Sequence, residues 1–313
     1  MYHQPARGRG LGSLQIMLEK GQQKEWFSSN FIVDLAFVAA VGLLLFVLRE
    51  LTAERPAVNL RILKDLTFTS GTFIGGILGM GLFGTLFLLP LLLEQLLGYP
   101  AFDSGLALMP RSLAMAMTMP LAGRFYNKAG PRFLVFLGLV ISALSFWELS
   151  RLSLDVGFWD IAFPQFIQGV GFGTIFVALS TAALSAISKP KMQAATGLYN
   201  VVRLVFGSVG IAVAATELDR GTVRYAAILM RNVTEYRDTA LERVRSLSEA
   251  MVAQGSDGFT AYSQALGLIN TEVTRQAMMV AFNRLFVMVC LLFVLSLPLV
   301  YLLREPAKPK GSA

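Results

Sequence analysis

Residues Phe68 to Leu93 read FTSGTFIGGILGMGLFGTLFLLPLLL, a run without a single charged side chain. A helix rises 1.5 Å per residue and the hydrocarbon core of a bilayer is about 30 Å thick, so about 20 mostly apolar residues span it. A spanning barrel strand would alternate in polarity over about ten residues, whereas Leu86 to Leu93 is apolar on every side, so the run reads as helix. Six further stretches of the same kind surround it: Phe31 to Leu48, Gly105 to Ala122, Phe133 to Leu149, Ile161 to Ile187, Ala194 to Thr216 and Ala277 to Leu303. The expectation is an all-α integral membrane protein with seven transmembrane helices.

Composition supports that expectation. With 55% hydrophobic and 15% charged residues, the 313-residue chain has too little polar surface to clothe a soluble globule. One cysteine, Cys290, lies in the last apolar run, and the only histidine is His3 in a polar tail. This rules out a disulfide framework within the chain, histidine-activated nucleophiles and Cys/His zinc sites. No catalytic or metal-binding residues are expected, and the chain does not read as an enzyme.

The net charge of +7 is a topology signal and not a nucleic-acid patch, because the basic residues fall in alternate connections. Arg49, Arg55, Arg61 and Lys64 follow the first run; Arg124, Lys128 and Arg132 the third; Lys189 and Lys191 the fifth; Arg304, Lys308 and Lys310 the last. The short connections on the other side hold only Lys20, Lys24 and Arg151. The positive-inside rule then puts the C-terminus in the cytoplasm, and seven crossings put the N-terminus outside. The long connection from Glu217 to Gln276 falls outside too; loops near 60 residues cross largely regardless of charge.

Gly71, Gly75 and Gly79 stand four apart on one face of the second run, and Gly169 and Gly173 repeat the spacing in the fifth. Small residues so placed let a neighbouring backbone approach closely, either for static packing or for helices that rock. Polar side chains inside the spans matter more, since an ionised group at mid-bilayer costs about 2.5 to 3.5 kcal/mol on insertion scales. Arg203 sits deep in the sixth run with Asn200 one turn earlier; Gln165 and Gln168 lie in the fifth run and Arg111 follows Pro110 in the third. Each reads either as part of a substrate pathway or as an interhelical bond. Asp34, Glu148 and Arg284 fall near outer ends and read as interfacial. Met109, Met115, Met117 and Met119 crowd the third run, suiting either a cavity for varied apolar ligands or ordinary packing.

The long connection has its own pattern. Val223, Ala226, Ala227, Met230, Leu241, Val244, Leu247 and Met251 recur at near-helical spacing before Gly255 and Gly258, and a second helix is expected from Phe259 into the last span. The organisation expected is therefore a tail at 1–20, a first span with its basic connection at 21–66, a five-span core at 67–217, an extracytoplasmic helical loop at 218–276, and the last span with its tail at 277–313.

Between the third and fourth runs the chain reads GRFYNKAGPR from Gly123 to Arg132. This resembles the loop motif of the major facilitator superfamily, in which a glycine is followed at +4 by an acid, at +5 by a base, at +7 by glycine and at +9 by a base. Gly123, Lys128, Gly130 and Arg132 match; Asn127 replaces the acid, so the charge-relay part of the motif is not reproduced. The segments GLGSLQIMLEKGQQKEWFSSNFI, PAVNLRILKDLTF, LPLLLEQLLGYPAFDSGLALMP, PQFIQGVGFG and NVVRLVFGSVG, in this order, are similar to the fourteen-helix drug:proton antiporters of the EmrB/QacA type. The Trp26-Phe27-Ser28-Ser29 connection and the long loop look most like the EmrB branch.

The resemblance implies that these seven spans correspond to the eighth through fourteenth, which is the C-terminal bundle plus one linking helix of a major facilitator fold. It implies export of lipophilic or amphipathic drugs across a bacterial inner membrane, powered by the proton gradient without a cofactor. The partners it implies are the missing N-terminal half, a membrane-fusion adaptor and an outer-membrane channel, with no nucleic acid. The family's proton-coupling acids lie in that other half. The rival expectation is a truncated membrane protein that does not transport, or a half-bundle serving binding or assembly.

Overall fold

The computed structural model describes residues 60–185, 187, 191–231 and 238–303. The run at 31–48, the Trp26 to Ser29 connection, Asp34 and the basic residues Lys20, Lys24, Arg49, Arg55, Lys189, Arg304, Lys308 and Lys310 lie outside the described residues. Among the described residues every regular element is helical: α1 (Leu66–Pro90), α2 (Ala101–Ala129), α3 (Pro131–Leu149), α4 (Phe158–Ser185), α5 (Met192–Met230), α6 (Asp238–Ala253) and α7 (Gly258–Ser296). Five of these are long and apolar enough to cross a membrane: α1, α3, α4, α5 and α7. The helix of the third apolar run, α2, has the length at 29 residues but is not among the five. Arg111, Pro110 and Pro120 lower the apolarity of its central stretch.

Helix boundaries follow local chemistry. The Asp65 carboxylate caps α1, accepting from the backbone N–H of Thr67 at 2.8 Å and of Phe68 at 3.0 Å. Asp65→Ala should cost about 1 kcal/mol, read as a lower unfolding temperature of the purified protein. Pro90 offers no N–H, and the chain beyond it widens into a π-helical turn, Leu91–Leu96. Gly98, at a φ of 74°, ends that turn. Gly130 alone separates α2 from α3: its φ is 77°, its N–H reaches the Tyr126 carbonyl at 3.0 Å, and Pro131 opens α3.

In the bundle α4 packs against α2, α3 and α1, while α5 lies between α1 and α7, and α7 also meets α3. Phe146 of α3, Phe172 of α4 and Phe293 of α7 lie fully buried where three helices converge, their ring centroids 5.3 to 6.2 Å apart. Several crossings close to backbone contact at glycine. A Cβ on Gly75 would meet the Tyr199 ring at 2.8 Å and one on Gly79 the Arg203 carbonyl oxygen at 2.5 Å, both on α5, whereas Gly71 faces Ala183 of α4. The α3/α4 crossing uses Gly138 and Gly171, a pair that the spacing in sequence does not single out.

The sixth apolar run does not stop at Thr216. Helix α5 continues unbroken to Met230, and at 39 residues it is about 58 Å long, well beyond the hydrocarbon core. Helix α7 is as long, begins at the Asp257 cap, and pairs with α6. These helices project past the bundle on the side opposite the Gly130 turn. A groove of about 520 Å³ between α6 and α7 is lined by Leu241, Val244, Arg245 and Tyr262.

Candidate functional site

The polar side chains of the spans divide into two groups. Arg111 on α2 and Gln168 on α4 meet, with the guanidinium Nη1 donating to the amide Oε1 at 3.5 Å. Arg111 is 5% exposed and Gln165 and Gln168 are both 0% exposed. The crossing that encloses them brings the two backbones into contact: a Cβ on Gly169 would lie 2.2 Å from the Arg111 carbonyl oxygen, and one on Gly173 would lie 3.0 Å from that of Met115. Side chains on a helix lean toward its N-terminus, so Arg111 extends back along α2 while Gln165 and Gln168 extend back along α4. Their hydrogen bonding is incomplete: both amide atoms of Gln165 and the Nε2 of Gln168 have no partner.

Arg203 forms a separate site. Its guanidinium lies over the Phe176 ring of α4 at 5.1 Å and its backbone seats against Gly79, so it ties α5 to α4 and α1. Asn200, one turn earlier, is partly buried like Arg203 itself. Sequence depth ranks Arg203 as the deeper arginine, yet Arg111 is the more enclosed of the two, because α2 is roofed by α4 whereas α5 leaves Arg203 open on one side. Among the described residues the ion pairs are Arg245–Glu249 and Arg275–Glu272, so no acid there pairs with Arg111 or Arg203. Tyr199, also in the sixth run, escapes a reading based on charge; its buried hydroxyl lacks a partner and its ring fills the notch at Gly75.

At the opposite end, Arg132 donates from Nε to the backbone carbonyl of Leu303, joining the start of α3 to the end of the last span. Asn127 and Lys128 are exposed on the last turn of α2. Gly130 makes the turn, but Gly123 does not: it lies inside α2, and a Cβ there would meet nothing within 4 Å. Of the two motif glycines only Gly130 shapes the turn, because the helix runs on for about a turn and a half past Gly123. Glu148 and Arg284 are exposed.

A third feature is apolar. A cavity of about 150 Å³ lies between α1, α5 and α7, lined by Met80, Gly84, Leu88, Gly210, Val213, Leu285 and Met288 among others. The methionines singled out on α2 take no part in it; Met109 and Met117 are exposed and Met115 packs against the core.

Residues 20–211 match the Major Facilitator Superfamily. The chain is 34% identical over 302 residues to the fatty acid resistance protein FarB of Neisseria gonorrhoeae, covering 96% of this chain and 58% of that protein. It is 33% identical over 298 residues to the multidrug export protein EmrB of Escherichia coli strain K12, covering 95% and 57%, and 32% identical over 305 residues to the probable multidrug resistance protein EmrY of the same strain, covering 96% and 58%. It thus spans a little under three-fifths of the length of these curated relatives. On that match and its apolar helices, the chain belongs to the major facilitator superfamily and is a multi-pass inner-membrane protein.

Proposed function

We propose that this chain works as one lobe of a proton-driven exporter of lipophilic or amphipathic toxic compounds, paired with a second lobe that supplies the proton-coupling acids. The observation that carries the reading is the combination of bilayer-length helices with Arg111, Gln165, Gln168 and Arg203 held inside them. Charged and amide side chains are expensive in lipid and are kept where they face a cavity, a pathway or each other. The relatives whose names speak of multidrug export and fatty acid resistance support the substrate class. Alternating access in such proteins rocks one bundle against another around a midplane site. The glycine crossings at Gly79 and Gly169 give the helices smooth surfaces on which to shift.

In this reading the Gly130 turn, with Lys128 and Arg132, is the cytoplasmic gate, which places the C-terminus inside and the α6/α7 projection outside. The groove on that projection is the docking place for a membrane-fusion adaptor leading to an outer-membrane channel. The test is Arg203→Ala in the assembled transporter. Efflux of an anionic amphipathic dye should fall by about tenfold, the loss expected when one charge-assisted contact worth about 1.4 kcal/mol goes, while membrane abundance stays at the wild-type level. Parallel loss of efflux and abundance would assign Arg203 to folding and remove it from the pathway.

A further inference from the structure

Buried polar groups in folded proteins are nearly always hydrogen-bonded, and a buried cation is nearly always paired. The α2/α4 crossing breaks both rules in one place. Arg111 offers five N–H donors, and the one hydrogen bond its guanidinium makes among the described residues is a 3.5 Å bond to a neutral amide. Three of the four amide atoms on Gln165 and Gln168 are unsatisfied, and all three side chains are at least nine-tenths buried. The acids on the same two helices do not serve. Asp103 lies two turns before Arg111, and Asp160 is exposed at the start of α4, where it accepts the backbone N–H of Gly157 at 2.8 Å.

What is lacking can be specified from the donor set. A guanidinium and two carboxamide NH₂ groups buried at one helix crossing are rich in donors and carry a positive charge, so the complement is an acceptor-rich anion. The fork of an arginine matches a planar carboxylate with two parallel bonds.

We infer that Arg111, Gln165 and Gln168 form a carboxylate-binding subsite that takes the head group of an amphipathic organic acid. The inference rests on the exporter reading and narrows it to anionic substrates at this position. The same chemistry has a second source, an Asp or Glu side chain from another protein segment, and the experiment separates the two.

The full chain is purified into nanodiscs and its thermal unfolding and its binding of radiolabelled octanoate are measured, with octan-1-ol and octyltrimethylammonium as tail-matched controls and empty nanodiscs subtracted. The wild-type chain should bind octanoate and unfold at a higher temperature in its presence, with neither control competing. Arg111→Gln should weaken octanoate binding by about tenfold or more and leave octan-1-ol binding unchanged. Gln168→Glu places a carboxylate beside Arg111 within the protein; it should raise the unfolding temperature without ligand and abolish octanoate binding. The wild-type comparison decides the matter even where a variant does not fold. Equal binding of octanoate and octan-1-ol, or undiminished octanoate binding by Arg111→Gln, overturns the subsite. A Gln168→Glu chain that is stabilised while the wild type ignores octanoate overturns it in favour of a protein carboxylate. Binding of either control without octanoate removes this inference and leaves the exporter reading standing; binding of none of the three counts against both.

Discussion

Gly169→Val is expected to be the most damaging single substitution in this chain. The first added carbon would lie 2.2 Å from the Arg111 carbonyl oxygen and 2.8 Å from the Ala114 Cβ. A backbone oxygen in mid-helix cannot turn aside as a side-chain tip can, so α2 and α4 must part along their whole shared length. Overpacking a tight core usually costs 1 to 3 kcal/mol. With two backbones in the way and a buried arginine losing its one amide bond, the cost here should exceed about 3 kcal/mol. Denaturant titration of the purified protein, followed by helix content and by tryptophan emission, measures it. Gly105→Ala, on α2 with open space around the site, is the control and should be within about 0.5 kcal/mol of the parent. A Gly169→Val protein as stable as that control would mean the helices do not cross where described.

The second large effect is expected at Phe293→Ala. Phe293 is fully buried against Phe146 at 5.3 Å and Phe172 at 6.0 Å, and its ring closes on Gly81 of α1, so four helices meet around one side chain. In lipid the helices gain little from hydrophobic transfer, and association depends on packing. Removing the ring forfeits those contacts and leaves a cavity, at about 3 kcal/mol. Because α7 carries the projecting hairpin, limited proteolysis near Gly255 should speed up together with the drop in unfolding temperature. Phe293→Leu should recover most of the loss.

The helices could be read from the chain because lipid demands long apolar runs, and a run such as Phe68 to Leu93 permits little else. Stops and caps were legible where the residue type dictates the backbone, as at Gly130 with Pro131. What could not be read is which surfaces meet. The spacing of Gly71, Gly75 and Gly79 gives a face, but only the fold reveals that two of its positions receive α5 and one receives α4. The pair Gly138 and Gly171 carries no periodic signal, since each stands alone on its helix toward the other. The greater enclosure of Arg111 was out of reach for a related reason: position along a span measures depth, while enclosure depends on the neighbouring helix. The arrest of the sixth run at Thr216 followed from hydropathy, yet Glu217, Asp219 and Arg220 interrupt apolarity without interrupting the helix, whose backbone bonds are all internal. For the same reason Gly123, in a motif that suggests a loop, sits within α2.

Whether this chain is one of two lobes that export together is read from the accumulation of a fluorescent amphipathic anion in efflux-deficient cells. The cells produce this chain alone, the portion of the Escherichia coli EmrB relative that it does not cover, or both. Lowered accumulation is expected only when both are present, with the effect abolished by an uncoupler of the proton gradient. Equal lowering by this chain alone, or no lowering in any combination despite both polypeptides being present in the membrane, would contradict it.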